Sequence, residues 1–230
     1  MARPAAILTD IEGTTTGIAF VKDTLFPFAA AALDGFLAAR GGEPAVRAIL
    51  DAVRAAAPGQ DPAAALRGWM ATDAKVTPLK ALQGLIWRQG YADGRLKGHL
   101  WPDVAACLRA WHAGGLRLAV YSSGSVEAQR DLFGHTAEGS LVPLFGGFFD
   151  TRVGAKREAT SYAAIAAALG LPPGDILFLS DVAEELDAAA AAGMQVCQLV
   201  RAADRTAASG RHPAEADFPG IARRFGLPGA

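Results

Sequence analysis

Asp10 and Glu12 stand two residues apart, and Gly13-Thr14-Thr15-Thr16 follows them directly. Two carboxylates at that spacing, at the end of an extended segment, can point into one cleft. The turn behind them is rich in N–H and hydroxyl donors. Three more sites carry complementary chemistry: Ser122-Ser123-Gly124-Ser125, Lys156 within Gly154-Ala155-Lys156-Arg157-Glu158, and Asp181. Carboxylates can hold a hard cation or attack an electrophilic phosphorus. Hydroxyls can hydrogen-bond phosphate oxygens, and a lysine can neutralise them. Taken singly, each has a plain structural reading. A strand-end aspartate often serves a turn, Ser-Ser-Gly-Ser can cap a helix, and Asp181 can cap one that opens with Glu184 and Glu185. Lys156 can sit solvated in a loop. Together and in this order they point to phosphate or metal handling, which independent structural roles do not predict.

The elements that must position these residues are legible around them. Four short apolar runs, 5–9, 116–121, 176–179 and 195–200, lead into Asp10, Ser122, Ser180-Asp181 and Arg201. Such runs suit strands buried on both faces, as in parallel sheets. Phe148-Phe149 ahead of Asp150 suggests a short fifth strand. Helical patterns occupy 125–133, 158–169 and 183–192, the last stopped by Gly193. This alternation predicts an α/β fold, an open parallel Rossmann-like sheet flanked by helices. In such sheets ligands bind beyond the carboxyl ends of the strands, where the candidate residues stand.

One interval breaks the rhythm. Asp10 and Ser122 lie 112 positions apart, too far for a single crossover helix. The interval reads as four helices, 23–40, 44–57, 62–74 and 78–92, separated by Gly41-Gly42, Pro58-Gly59 and the Pro78 region. This predicts a helical cap inserted after the first strand, returning near 98–103. The expected division is a core of 1–17 and 99–230 with a cap of 18–98. The tail 202–230 is weakly patterned and suggests no function.

The bulk composition narrows the partners. The 230 residues are 51% hydrophobic and 20% charged, with a net charge of −1. Nothing there favours nucleic acid or an anionic membrane, and the 17 arginines and 5 lysines form no basic run. Cys107 and Cys197, the two cysteines, are too few for a disulfide framework or a cysteine zinc site. An acid arrives at Asp10 before a signal-peptide stretch develops. No window approaches the roughly 18 apolar residues of a membrane span. The expectation is a soluble, cytoplasmic protein acting on a small molecule.

The order Asp-x-Glu, Ser, Lys, Asp resembles the haloacid dehalogenase-like phosphatases. Asp10-Ile11-Glu12-Gly13-Thr14-Thr15-Thr16, Phe20-Val21-Lys22-Asp23 and Leu25-Phe26-Pro27 resemble, more narrowly, the opening of the enolase-phosphatases, or acireductone synthases. So do Leu82-Gln83-Gly84-Leu85-Ile86-Trp87, the stretch from Tyr121 to Gln129, and Phe148-Phe149-Asp150-Thr151. The resemblance spans roughly residues 5 to 201. Most phosphatases of the superfamily carry Asp where this chain has Glu12, but Glu is usual in that narrower family. Ser180 stands where Thr often precedes the last Asp.

The resemblance implies a Mg²⁺-dependent phosphohydrolase that takes a small phosphorylated substrate and works as a monomer. Asp10 is implied as nucleophile, forming an aspartyl-phosphate, and Glu12 as general acid and base. Ser122, Ser123 and Lys156 would bind the substrate phosphate. Asp10, Asp181 and the main-chain carbonyl of Glu12 would hold the metal, and the cap would exclude water and read the rest of the substrate. The implied reaction is enolisation and dephosphorylation of 2,3-diketo-5-methylthiopentyl 1-phosphate to the acireductone of methionine salvage. Three other readings compete: a broad sugar-phosphate phosphatase, a metal-free haloacid dehalogenase, and a silent module that binds phosphorylated ligands. Glu12 and Asp181 are superfluous for dehalogenation, and the full reactive set argues against silence.

Overall fold

The apolar runs of the sequence become the strands of one parallel sheet. A computed structural model of the protein describes residues 3–229. The strands are β1 (Ala6–Thr9), β2 (Arg117–Tyr121), β3 (Phe145–Phe149), β4 (Ile176–Ser180), β5 (Gln195–Leu199) and β6 (Ala214–Glu215), in the order β3-β2-β1-β4-β5-β6. All pairings are parallel. The first strand of the chain is thus an inner strand. Ala6–Thr9 pair with Arg117–Val120 on one side and with Ile176–Leu179 on the other. Every residue of β1 and β4 is buried, which is why both read as unbroken apolar runs. The chain winds outward through β2 and β3, then returns to place β4 on the other side of β1. That reversal marks β1 as the switch point, beside which α/β sheets bind ligands.

The chain divides into two compact units, Met1–Ile18 with Lys97–Ala230, and Ala19–Leu96. The second is helical. A single turn, α1 (Ile18–Phe20), runs through a π-helical turn at Val21–Leu25 into α2 (Phe26–Arg40). There follow α3 (Pro44–Ala56), α4 (Pro62–Ala71) and α5 (Thr77–Ala92). Each of α2 to α5 has proline in its first turn, where the missing N–H costs nothing and the fixed φ favours initiation. Leu33, Phe36, Val46, Val53, Leu66, Leu79, Leu82 and Ile86 form the buried core of this unit.

In the sheet unit, α6 (Val104–Ala113), α7 (Val126–Gly134), α8 (Ala159–Leu169), α9 (Ala183–Ala191) and α10 (Phe218–Phe225) accompany the strands. Leu8, Tyr121, Tyr162, Ile165, Phe178 and Leu186 share one buried cluster. Helix α6 departs from the sequence expectation, which placed only the return of the insert near 98–103. Its ten residues carry a short pattern, with Val104, Leu108 and Trp111 buried. The tail likewise holds more order than its pattern suggested. Asp217 caps α10 by accepting from Gly220 N at 2.7 Å, and Phe218 stacks on Trp111 with ring centroids 5.1 Å apart. No helix among the described residues is long and apolar enough to cross a membrane.

Candidate active site

Asp10 leaves the carboxyl end of β1 and is anchored there by its N–H, which donates to Leu179 O at 2.9 Å. The chain then turns sharply, with the N–H groups of Thr14, Thr15 and Thr16 all directed to Ile11 O. Gly13 is required inside this turn. Its φ is +74°, and a Cβ there would collide with the Asp181 carboxyl group. The turn thereby brings a residue from the end of β4 against one from the end of β1. Thr14 Oγ1 accepts from Asp181 N at 3.1 Å and closes the join.

A cleft of about 220 Å³ opens at these strand ends, lined by Asp10, Glu12, Ile18, Ser122, Ser123, Lys156, Asp181, Val182 and Glu185. All six residues singled out from the sequence therefore meet in one place. Asp10 and Ser122 are buried, whereas Glu12 and Ser123 are exposed. The Ser122-Ser123-Gly124-Ser125 loop serves structure too. Ser125 Oγ caps α7 by accepting from Ala128 N at 3.2 Å, and Ser122 Oγ accepts from Gly124 N at 3.2 Å.

Lys156 is no solvated loop lysine. Its ammonium bridges Asp10 Oδ1 at 2.6 Å and Glu185 Oε2 at 2.7 Å. Burial works against its charge, but the two carboxylates outweigh burial and raise the lysine above its ordinary range. Glu185 also accepts from Ser180 Oγ at 2.9 Å. Burial, and then the Asp10 charge, push its own pKa up. Asp181 is pushed up to about 7, first by burial and then by Asp10.

Glu185 is the site residue that sequence reading missed as such. It looked like a first-turn acid favouring the helix dipole. The available signal was its spacing, four residues after Asp181, which carries a helical side chain one turn along the same side.

Three buried or half-buried acids thus face one lysine. Asp181 Oδ1 is buried without a hydrogen-bond partner, a costly state for a carboxylate oxygen. Orphaned carboxylate oxygen and excess negative charge fit a hard divalent cation bound by oxygen. Among the described residues no three His, Cys, Asp or Glu side chains group as a metal site. Asp10 and Asp181 would thus need main-chain or substrate oxygens to complete the shell, as Mg²⁺ commonly does.

Comparison with known proteins narrows the chemistry. Residues 4–193 match the haloacid dehalogenase-like hydrolase family. A curated enolase-phosphatase E1 of Granulibacter bethesdensis is 58% identical over 229 residues, 99% of each chain. One of Acidiphilium cryptum is 56% identical over 226 residues, 98% of this chain and 97% of its own. Among solved structures, the UTR4 protein of Saccharomyces cerevisiae superposes with a TM-score of 0.79 at 31% identity. It covers 94% of this chain and 98% of its own. CbbY of Rhodobacter sphaeroides, solved with phosphate, has a TM-score of 0.61 at 19% identity, covering 95% and 96%, a likeness of fold alone.

Proposed function

The chain belongs to the haloacid dehalogenase-like hydrolases and within them to the enolase-phosphatases, and from that premise we propose how its cleft performs the reaction. The protein is a phosphatase of methionine salvage, converting 2,3-diketo-5-methylthiopentyl 1-phosphate to acireductone. Asp10 attacks phosphorus and forms an aspartyl-phosphate as the ester oxygen departs. The Glu12 carboxyl protonates that oxygen, then takes a proton from the water that hydrolyses the acyl phosphate. Ser122 and Ser123 donate to the non-bridging oxygens, and Lys156 neutralises charge on the transferring group. Glu185 keeps the Lys156 ammonium charged and close to Asp10. Mg²⁺ would be held by the Asp10 and Asp181 carboxylates and the Glu12 carbonyl, where it supplies the positive charge that lets an anionic nucleophile approach an anionic ester.

Ile18 lines the cleft and is the large hydrophobic side chain left exposed among the described residues. With half-buried Val182 it offers an apolar wall suited to a methylthio tail. The helical unit is read as the cap of the family, and the enzyme as a cytoplasmic monomer.

The observation that carries this mechanism is Lys156 bridging Asp10 and Glu185 beside the orphaned Asp181 oxygen. The test is the diketo phosphate with and without Mg²⁺, following enol absorbance and phosphate release together. Phosphate should appear only with the metal. Equal release under chelation would overturn the Mg²⁺ assignment, and halide release from a 2-haloacid without phosphatase activity would favour the dehalogenase reading.

A further inference from the structure

Three consecutive main-chain carbonyls end at the lysine of the cleft, and each accepts a hydrogen bond from a buried side-chain hydroxyl. Tyr121 Oη donates to Gly154 O at 2.9 Å, Ser161 Oγ to Ala155 O at 2.8 Å, and Tyr162 Oη to Lys156 O at 2.7 Å. The donors come from rigid elements, Tyr121 from the end of β2 and Ser161 and Tyr162 from the first turns of α8. All three are buried in the sheet unit. The two tyrosine rings meet edge to face at 5.5 Å, and Tyr162 meets Phe178 of β4 at 5.0 Å.

The backbone is shaped for the contact. Gly154 has φ +142°, and a Cβ on it would strike Ser161 Oγ. Loop carbonyls ordinarily face water. A run of three held by hydroxyls from a strand and a helix is instead a fixed mount. Lysine has a long, flexible stem, so the accuracy of its ammonium depends on where its main chain is fixed. Here that ammonium lies between Asp10 and Glu185.

We propose that Tyr121, Ser161 and Tyr162 are positioning residues, a hydroxyl clamp that sets the Lys156 main chain and so aims its ammonium at the transferring phosphoryl group. The proposal rests on the reading of Lys156 as the phosphoryl-binding cation. None of the three need touch substrate. Loss of one hydroxyl removes a tie between the loop and its rigid neighbours, lets the loop shift, and misplaces a charge whose value depends on sub-ångström aim.

The test is a double-mutant cycle on the full-length Mg²⁺-loaded enzyme. Ser161→Ala and Tyr162→Phe each remove one hydroxyl. Each should lower kcat about 10- to 100-fold, with KM changed little, as expected for a misplaced catalytic group. In a Lys156→Met background the same two changes should cost less than about twofold, because the loss they cause is already present. Losses that multiply in that background would overturn the clamp and make the hydroxyls ordinary packing groups. Wild-type kcat in Ser161→Ala would overturn it as well. Tyr121→Phe replaces Tyr162→Phe in the cycle if the latter does not fold. Normal turnover by Lys156→Met itself would remove the foundation. Asp10→Asn assayed alongside then tells whether the phosphatase chemistry survives without that role for the lysine.

Discussion

Arg201 and Lys156 are both buried cations of the sheet unit, their side chains 6% and 10% exposed. Around Arg201 the charges balance. Its Nη1 meets Asp103 Oδ1 at 2.9 Å and Oδ2 at 3.0 Å, and its Nε and Nη2 both donate to Thr14 O. The guanidinium lies over the Trp101 and Phe218 rings at 5.5 and 5.6 Å. One carboxylate answers one cation, and Asp103 spends its remaining capacity on Phe218 N at 2.9 Å. Around Lys156 the charges do not balance. Asp10, Glu185 and Asp181 share its neighbourhood, and one Asp181 oxygen has no partner. The balanced pair ties the turn after β1 to the chain beyond β5. The unbalanced one holds an excess of negative charge, which the divalent cation of the proposed mechanism would offset.

If that contrast is right, substitutions in the two clusters should separate activity from stability. Asp10→Asn removes the proposed nucleophile, and phosphate release should fall at least about 10³-fold. Its urea midpoint should stay near that of the parent, because an acid has left a site with too many. Near-normal turnover in folded Asp10→Asn protein would break the assignment. Arg201→Met should do the converse. Leaving the half-buried Asp103 without its cation should cost about 1–3 kcal/mol of stability, readable by urea denaturation, with kcat per folded molecule altered far less. Equal loss of kcat would mean that Arg201 serves the chemistry.

A third measurement uses pH on metal-free protein. Asp181 titrates near 7 when folded and near 3.9 in an unfolded chain. The folded state thus holds its proton more tightly, so stability is greatest at low pH within that window and declines as pH rises from about 4 to 7. Glu185, also pushed up, adds to the decline. Millimolar Mg²⁺ should raise the urea midpoint more at pH 8 than at pH 5, and Asp181→Asn should flatten the profile. A midpoint that climbs across this range would refute that excess of negative charge. The smallest effect is expected at Ile18. Ile18→Ser should lower kcat/KM for the methylthio substrate about tenfold, the scale of a lost apolar contact. Hydrolysis of an aryl phosphate should change less. Equal losses on both would deny Ile18 a role in reading the tail.

The sequence exposed most where one force dominated locally. Strands buried on both faces must be apolar throughout, so 5–9 and 176–179 were readable without any partner in view. Asp10, Ser122 and Asp181 were readable because they end those runs. Glu185 was not, since its role depends on Lys156, 29 positions earlier and far from helical reach. Ser161 and Tyr162 looked like ordinary residues of an alanine-rich helix. Only the tertiary path of 154–156 gives their hydroxyls a purpose. Helix α10 escaped because its apolar positions, Phe218, Ile221, Ala222 and Phe225, occupy barely two turns, interrupted by Pro219-Gly220 and ended by Gly226.

The inner position of β1 also has a consequence for synthesis. When β1 is made, both its sheet neighbours are still to come, since β2 begins at Arg117 and β4 at Ile176. At ribosomal speeds of about 5–20 residues per second, β1 waits roughly 5–20 seconds for its first partner. The helical unit emerges entire in that interval. The wait for β4, which brings Asp181 to Asp10, is longer still. A nascent chain therefore carries Asp10 through the synthesis of the 170 residues that separate it from Asp181, and only then can the two meet at the proposed place for metal and phosphate. Truncated products ending before β4 should bind neither.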